Sequence, residues 1–368
     1  MSSVTQKLRQ TKNILGGGQQ SPSSLPWNPD SAGFPSRKDL PRIDGAPEGA
    51  AWVWGKDDNI GRLNLLTPKR VLQASSEIKT GELVPLNLPL NNPEPPAFHR
   101  EDFKHTIKVV MDGVSFDDLY ELNTQSSTQW DGFRHFAHMP TKTFYNGASF
   151  LQTKAEDIKG PNANLKCSIH HWSEHGIAGR GVLLDYRRYA KANGINYDPC
   201  SGHSISFQEL FKCGKAQGVD IRPEAQGGDI KIGDILLIRA GFIERHGELS
   251  LEERKRVIAH QTETENALEA FQFAGVKQEE EVIDWLHDCY FSGVVGDAPA
   301  FERWPTQQSY LLHEYILSLW GMPLGEMWNL EHLATKCAEQ KRWTFFLTSS
   351  PTNVKGGVSS HANAIAIL

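Results

Sequence analysis

The sequence predicts a single α/β domain over residues 50–368, preceded by a flexible arm over residues 1–49. Three observations predict it. Short continuous apolar runs, Gly181–Asp185 (GVLLD) and Asp234–Ala240 (DILLIRA), have the pattern of strands, the second buried on both faces. Amphipathic helical stretches alternate with such runs, without a regular βαβ cadence and without an internal repeat. Hydrophobic residues make up 39 % and charged residues 22 % of the chain, the balance of a soluble globular protein.

Each element follows in order. The arm is rich in Ser, Gln, Gly and Pro, and its GGGQQSPSS core (residues 16–24) lacks the apolar side chains a packed element needs. Its start is basic, with no acid before Asp30, a pattern shared with mitochondrial leaders; a disordered or partner-clasping arm is the preferred expectation. The folded part begins near Trp52–Trp54. Thr67 caps a helix with Pro68 at its first position, running through Lys69–Ile78 to Thr80-Gly81. Glu82–Leu90 alternates as a strand. His105–Val110 and Asp117–Glu121 are strands about a turn at Asp112-Gly113. Phe207–Lys215 and Leu251–Phe273 read as helices, the latter with a solvated charged face. Val294–Asp297 is a short strand, Gln308–Leu319 and Leu330–Glu339 are helices, and Trp343–Thr348 and Ala362–Leu368 are strands.

Charge and cysteine usage exclude several functions. The net charge of −6 gives no electrostatic case for nucleic acid or anionic membranes. No apolar run approaches the ~20 residues that span a bilayer. The five cysteines are scattered without CxxC spacing, so a zinc knot or disulfide framework is not expected and buried reduced thiols are. With no signal-peptide core, the expected location is cytoplasmic. No Walker loop or dinucleotide fingerprint follows a strand.

The chemistry concentrates in QSSTQWDGFRHFAHMPTKTFYNG, residues 125–147. On an extended strand Gln129 and Asp131 share a face, and His135 and His138 follow at a turn. A carboxylate, amides and imidazoles converging on one pocket suit proton transfer or metal-assisted chemistry. The competing reading is a set of core-edge histidines among Trp130, Phe133 and Phe136. His170, His171 and His175 also have ligand-like spacing, but Gly176 and the lack of a helical apolar pattern argue against a helix there.

This stretch resembles the HxGTHxDxPxH signature of the cyclase family that includes kynurenine formamidase and isatin hydrolase. Thr128, Asp131 and His135 fall on its Thr, Asp and last His. Further blocks are similar in the same order: AWVWGKDDNIGRLNLLTP (51–68), FYNG (144–147), GIAGRGVLLDY (176–186), GDILLIRAGF (233–242), GDAPAFE (296–302) and LHEYILSLWGMPLGEMWNLEHLA (312–334). The departures are Gln125 and Gln129 in place of the two other motif histidines, and Phe133 in place of the proline.

The resemblance implies a swivelling β/β/α fold with a mixed sheet or barrel-like core, and a homodimer or higher homo-oligomer. It also implies a hydrolase acting on a lactone, cyclic amide or formyl-amide bond of a small, aromatic or apolar substrate. It gives catalytic roles to His135 (proton shuttle), Asp131, His313 and Glu326. Asp131, Gln129, His313 and Glu326 are the candidate metal set; their oxygen-rich chemistry favours manganese over zinc, and a metal-free site remains the other expectation. Gln129, Gln125, His138, Trp54, Phe133 and Tyr145 are the expected substrate-binding residues. A metal-free site would suit a lyase, dehydratase or isomerase. A non-catalytic ligand-binding descendant is the remaining alternative.

Overall fold

The computed structural model describes residues 25–149, 163–259 and 271–368, and its centre is a mixed sheet built from the apolar runs. In chain order the strands are β1 (Leu83–Pro85), β2 (Lys104–Met111), β3 (Ser115–Glu121), β4 (Gln129–Asp131), β5 (Ile177–Leu184), β6 (Ser204–Ile205), β7 (Ile235–Ile238), β8 (Gly275–Val276), β9 (Gly293–Gly296), β10 (Leu324–Glu326), β11 (Thr344–Ser349), β12 (Ser359–His361) and β13 (Ala364–Ile367). Nine of these form one sheet in the order β1-β13-β11-β5-β7-β9-β10-β4-β12. The middle, β5-β7-β9-β10, is parallel and both margins are antiparallel. The class is α/β, with the curled mixed sheet of a cyclase-like fold.

The parallel strands lie where their sequences demand. Val182–Leu184, Ile235–Leu237, Val294 and Val295 are fully buried. Each such side chain contributes roughly 1.5–3 kcal/mol relative to exposure. Helices cover the faces. Phe207–Gln217 is held at its start by a reciprocal capping box between Ser206 and Glu209, and Gly218 in the left-handed region stops it. Pro68–Ala74 begins as expected on Thr67, whose hydroxyl accepts the Arg70 N–H. The five cysteines are free, four of them buried. No helix among the described residues is long and apolar enough to cross a membrane.

Several elements differ from expectation. The strand expected over Glu82–Leu90 narrows to Leu83–Pro85. Glu326, expected in a loop, ends a strand. His170–His175 is a helix, and Gly176, at φ 75°, is the residue that ends it rather than one that forbids it. Of the expected helix Leu251–Phe273, the structure describes Leu251–Ala259, and residues 260–270 lie outside the described residues.

Residues 25–49, assigned by composition to the flexible arm, pack on the body. Trp27 is buried, its N–H donates to the Val53 carbonyl at 2.8 Å, and its ring meets Trp54 edge-on at 6.4 Å. Arg37 binds Asp284 at 2.6 Å, and its N–H donates to Asp288, both on the helix Glu280–Asp288. The apolar anchors Trp27 and Phe34 outweigh the surrounding Ser and Pro. The low-complexity run and residues 1–15 lie outside the described residues.

Candidate active site

The site is built on three adjacent strands. β4 lies between β10 and β12, with Gln129 opposite Glu326 and His361, and Asp131 opposite Leu324 and Ser359. Directly opposed residues point to the same face, so Gln129, Asp131, Glu326, Ser359 and His361 share one. The other face carries Trp130, packed edge-on against Trp328. Gly325 makes that possible, because a Cβ there would come within 2.6 Å of Trp328 Nε1, which donates to the Gln129 carbonyl. Thr128 ties the strands further: its hydroxyl donates to the Met327 carbonyl and accepts the Leu88 N–H.

His313 arrives from the start of a helical segment that continues as a π-helix over Glu314–Leu319. Its ring is fixed by Glu302, which sequence reasoning did not single out. The Glu302 carboxylate accepts the N–H groups of Leu312 and His313, the Nδ1–H of His313 at 2.7 Å and an amide N–H of Gln278. Nε2 of His313 therefore faces the pocket, 3.2 Å from Glu326 Oε1 and 3.7 Å from Asp131 Oδ2. Glu326 Oε1 also accepts the Phe301 N–H. One donor atom each from Asp131, His313 and Glu326 lies within 4.8 Å of the others, and all three residues are buried.

The two glutamines knit this centre together. The Gln129 amide nitrogen faces Gln125 Oε1 (2.9 Å), Glu326 Oε2 (3.2 Å) and Asp131 Oδ1 (3.5 Å), three acceptors that define it as the NH₂ end. Gln125 donates to Asp131 Oδ1 at 2.7 Å and to the Ser359 hydroxyl. Arg100 in turn donates to the Gln125 backbone carbonyl and, at 3.4 Å, to its Oε1. Gln129, expected among the metal ligands, thus turns N–H groups rather than oxygen towards the carboxylates. Both glutamine side chains hydrogen-bond Asp131 within this cluster.

His135 sits at the margin. Its Nε2 is 3.9 Å from Asp131 Oδ2, and its side chain is 22 % exposed whereas that of Asp131 is fully buried. Burial lowers the His135 pKa, opposed by the Asp131 carboxylate. Burial raises Asp131, against the pull of His135. His313 is raised well above the usual imidazole value: Glu302 and Glu326 overcome the effect of burial.

Four other expected residues stand elsewhere. Phe133 and Tyr145 are fully buried core, packed on each other at 4.7 Å, with Phe133 also on Trp172 at 4.8 Å and the Tyr145 hydroxyl donating to Asp58. Trp54 packs with Trp27 and Phe34. His138 Nδ1 pairs with the neighbouring Thr141 hydroxyl at 2.8 Å. The aromatic ring beside the centre is Phe136, 5.4 Å from His313.

His313 Nε2, Glu326 Oε1 and Asp131 Oδ2 are electron-rich atoms that converge. Asp131 Oδ2 and Gln129 Oε1 are buried without hydrogen-bond partners among the described residues. Such a set requires a proton or a cation between its members. The donor chemistry, two carboxylates and one oriented imidazole, fits a divalent ion. His170, His171 and Glu174 form a second group of possible ligands, on the helix ended by Gly176.

Comparison with known proteins identifies similar chains. A family profile described as putative cyclase matches residues 84–303. A solved structure described as a novel cyclase is 28 % identical, over 87 % of this chain and 99 % of that one, with a TM-score of 0.71. Isatin hydrolase A from Ralstonia solanacearum is 15 % identical, over 82 % of this chain and 97 % of that one, with a TM-score of 0.49. An isatin hydrolase bound to the product analogue thioisatinate is 13 % identical, over 82 % and 99 %, also at 0.49. No curated protein matches.

Proposed function

The chain belongs to the cyclase family, and from that premise we propose that it is a hydrolase. Its substrate would be a small aromatic or apolar molecule bearing a lactone, cyclic amide or formyl-amide bond. The observation that carries the reading is the convergence of Asp131, His313 and Glu326 on one buried point beside the half-buried His135. A divalent cation held by those three residues would polarise the carbonyl and acidify a water. One imidazole and two carboxylates, where the family signature has more imidazole, favour a weakly held hard ion such as manganese over zinc.

The chain's own groups divide the remaining work. His135, neutral because burial lowers its pKa, takes a proton from the attacking water at Nε2 and returns it to the leaving nitrogen or oxygen. Asp131 holds that ring's developing charge. Glu302 fixes His313 with Nδ1 protonated, leaving Nε2 directed at the centre. Phe136 supplies an apolar wall. Gln125, Gln129 and Arg100 keep the carboxylates in place.

The test is metal analysis of purified protein together with turnover of lactones, cyclic imides and N-formyl aromatics. We expect little zinc to survive dialysis, and activity lost on stripping to return with manganese. Turnover indifferent to both stripping and manganese would overturn the metal-assisted hydrolase. A second reading, an acid–base lyase or isomerase, draws on one observation: the Gln129 amide already offers N–H groups to Asp131 and Glu326. That indifferent result would favour it.

A further inference from the structure

Two buried polar atoms on the face that carries Asp131 have no hydrogen-bond partner among the described residues: Gln129 Oε1 and His361 Nε2. They belong to residues directly opposite each other, Gln129 on β4 and His361 on β12. Opposed residues of antiparallel strands set their Cβ atoms about 4.5–5.5 Å apart on one face, so the two side chains stand side by side. They do not bond each other. Buried polar groups are hydrogen-bonded as a rule, and an orphaned pair calls for a partner from outside the chain. The hydrogen count is fixed on one side. The Gln129 amide nitrogen faces three acceptors, so Oε1 is the oxygen end and can only accept. On the other side burial lowers the His361 pKa, and a neutral imidazole carries one N–H and one lone pair. Gln129 is fully buried, whereas His361 is partly exposed on β12, the margin of the sheet.

We propose that Gln129 Oε1 and His361 Nε2 form a polar subsite that takes an N–H of the substrate, so that the site selects N–H amides and imides over lactones and N-alkylated analogues. The inference rests on the proposed hydrolase and narrows its substrate. Gln129 Oε1 requires a hydrogen donor, which an amide N–H supplies and which a lactone or an N-methyl amide lacks. His361 meets the adjoining carbonyl by donating from Nε2, or meets the same N–H by accepting it. A ligand without that hydrogen leaves the buried Gln129 oxygen unpaired, the circumstance in which polar sites reject close analogues most strongly. Gln129 and Asp131 are alternate residues of β4, about 7 Å apart along the strand. A small bicyclic molecule can therefore touch the subsite and the catalytic centre together.

Titration of the full chain with three matched probes, phthalimide, N-methylphthalimide and the lactone phthalide, tests it through tryptophan fluorescence. Wild type should bind phthalimide on the order of 10–100-fold more tightly than either of the others, the scale of one buried group left unpaired. That comparison needs no variant. His361→Phe, with an unchanged far-UV spectrum, should bring the three dissociation constants together. His361→Asn should recover part of the preference, because its amide again offers a polar atom; a purely structural role for the ring would not give that recovery. Wild type that binds the three probes alike, or fails to bind phthalimide, would overturn the proposal and leave the pair to an ordered water. So would a folded His361→Phe variant that keeps the full preference. Binding is read apart from turnover, so the two readings fail separately. A preference for the N–H probe in a protein that hydrolyses nothing would keep the subsite and remove the hydrolase. Hydrolysis indifferent to N-methylation and to His361→Phe would do the reverse.

Discussion

Glu302 accepts hydrogen bonds from two backbone N–H groups, one imidazole and one amide, so its charge does much to decide how His313 presents Nε2. Outer partners of ligating histidines typically affect metal affinity ~10–100-fold. Glu302→Gln should weaken binding of added manganese by about that factor in a titration of stripped protein, with the fold retained; unchanged affinity would reduce Glu302 to a packing role. His135→Ala should cost on the order of 10²–10⁴ in turnover while thermal unfolding stays near wild type, since a partly exposed ring leaves little cavity. Wild-type kinetics in that variant would remove His135 from the mechanism. Asp131, His135, His313 and Glu326 were legible in the sequence because motif and block order pointed at them. Glu302 lay in plain view in GDAPAFE, but an acid beside an aromatic in a loop carries no signal of four donors. Phe133 and Tyr145 turn into the core because closeness in sequence to a motif does not tell which way a side chain points, and Trp54 packs on Trp27 and Phe34, which the sequence assigned to a flexible arm. Gln129 was read as a metal ligand and both Gln125 and Gln129 as substrate contacts; their links to Asp131, Glu326 and Ser359 depend on partners from β10 and β12.

At the scale of elements, the glycine between Leu324 and Glu326 lets β10 accept a tryptophan behind it. Gly325→Ala would set a methyl 2.6 Å from Trp328 Nε1 and 3.0 Å from Val295. We expect a loss of roughly 1–3 kcal/mol in denaturant unfolding, with weaker metal binding because Trp328 braces the Gln129 backbone. A variant as stable as wild type would mean that the strand shifts without strain. The buried parallel strands were readable because continuous apolar runs have little alternative. The helix His170–His175 was not: it is short, lacks a periodic apolar face, and places only Trp172 and His170 in the interior. Its terminating glycine was mistaken for a breaker. The packing of residues 25–49 was hidden for a similar reason, since few aromatic anchors in a Ser- and Pro-rich stretch hardly move its composition.

For the molecule as a whole, buried histidines tie stability to pH. His287 is fully buried, and burial lowers its pKa from 6.5 to about 4, with the Asp288 hydrogen bond opposing. A depressed folded pKa favours the neutral ring in the native state. Its contribution is complete above about 6.5 and is lost as pH falls through about 4. Any stability advantage of wild type over His287→Gln should therefore shrink across that window, by on the order of 3 kcal/mol, in urea unfolding followed at successive pH values; a pH-independent gap would show that the ring stays unperturbed. The fold class was legible throughout. The order of strands in the sheet was not, because pairing β4 with β12 and β10 depends on contacts far apart in sequence. That pairing has a consequence for biosynthesis. Ser359, which holds Gln125, lies 234 residues beyond it, and β12 is the neighbour of β4 on its open side. While the ribosome is still making the chain, the segment bearing Asp131 has long emerged but its partner strand has not. A nascent chain stopped short of residue 359 would carry Asp131, His135, His313 and Glu326 without the strand that closes the open side of β4.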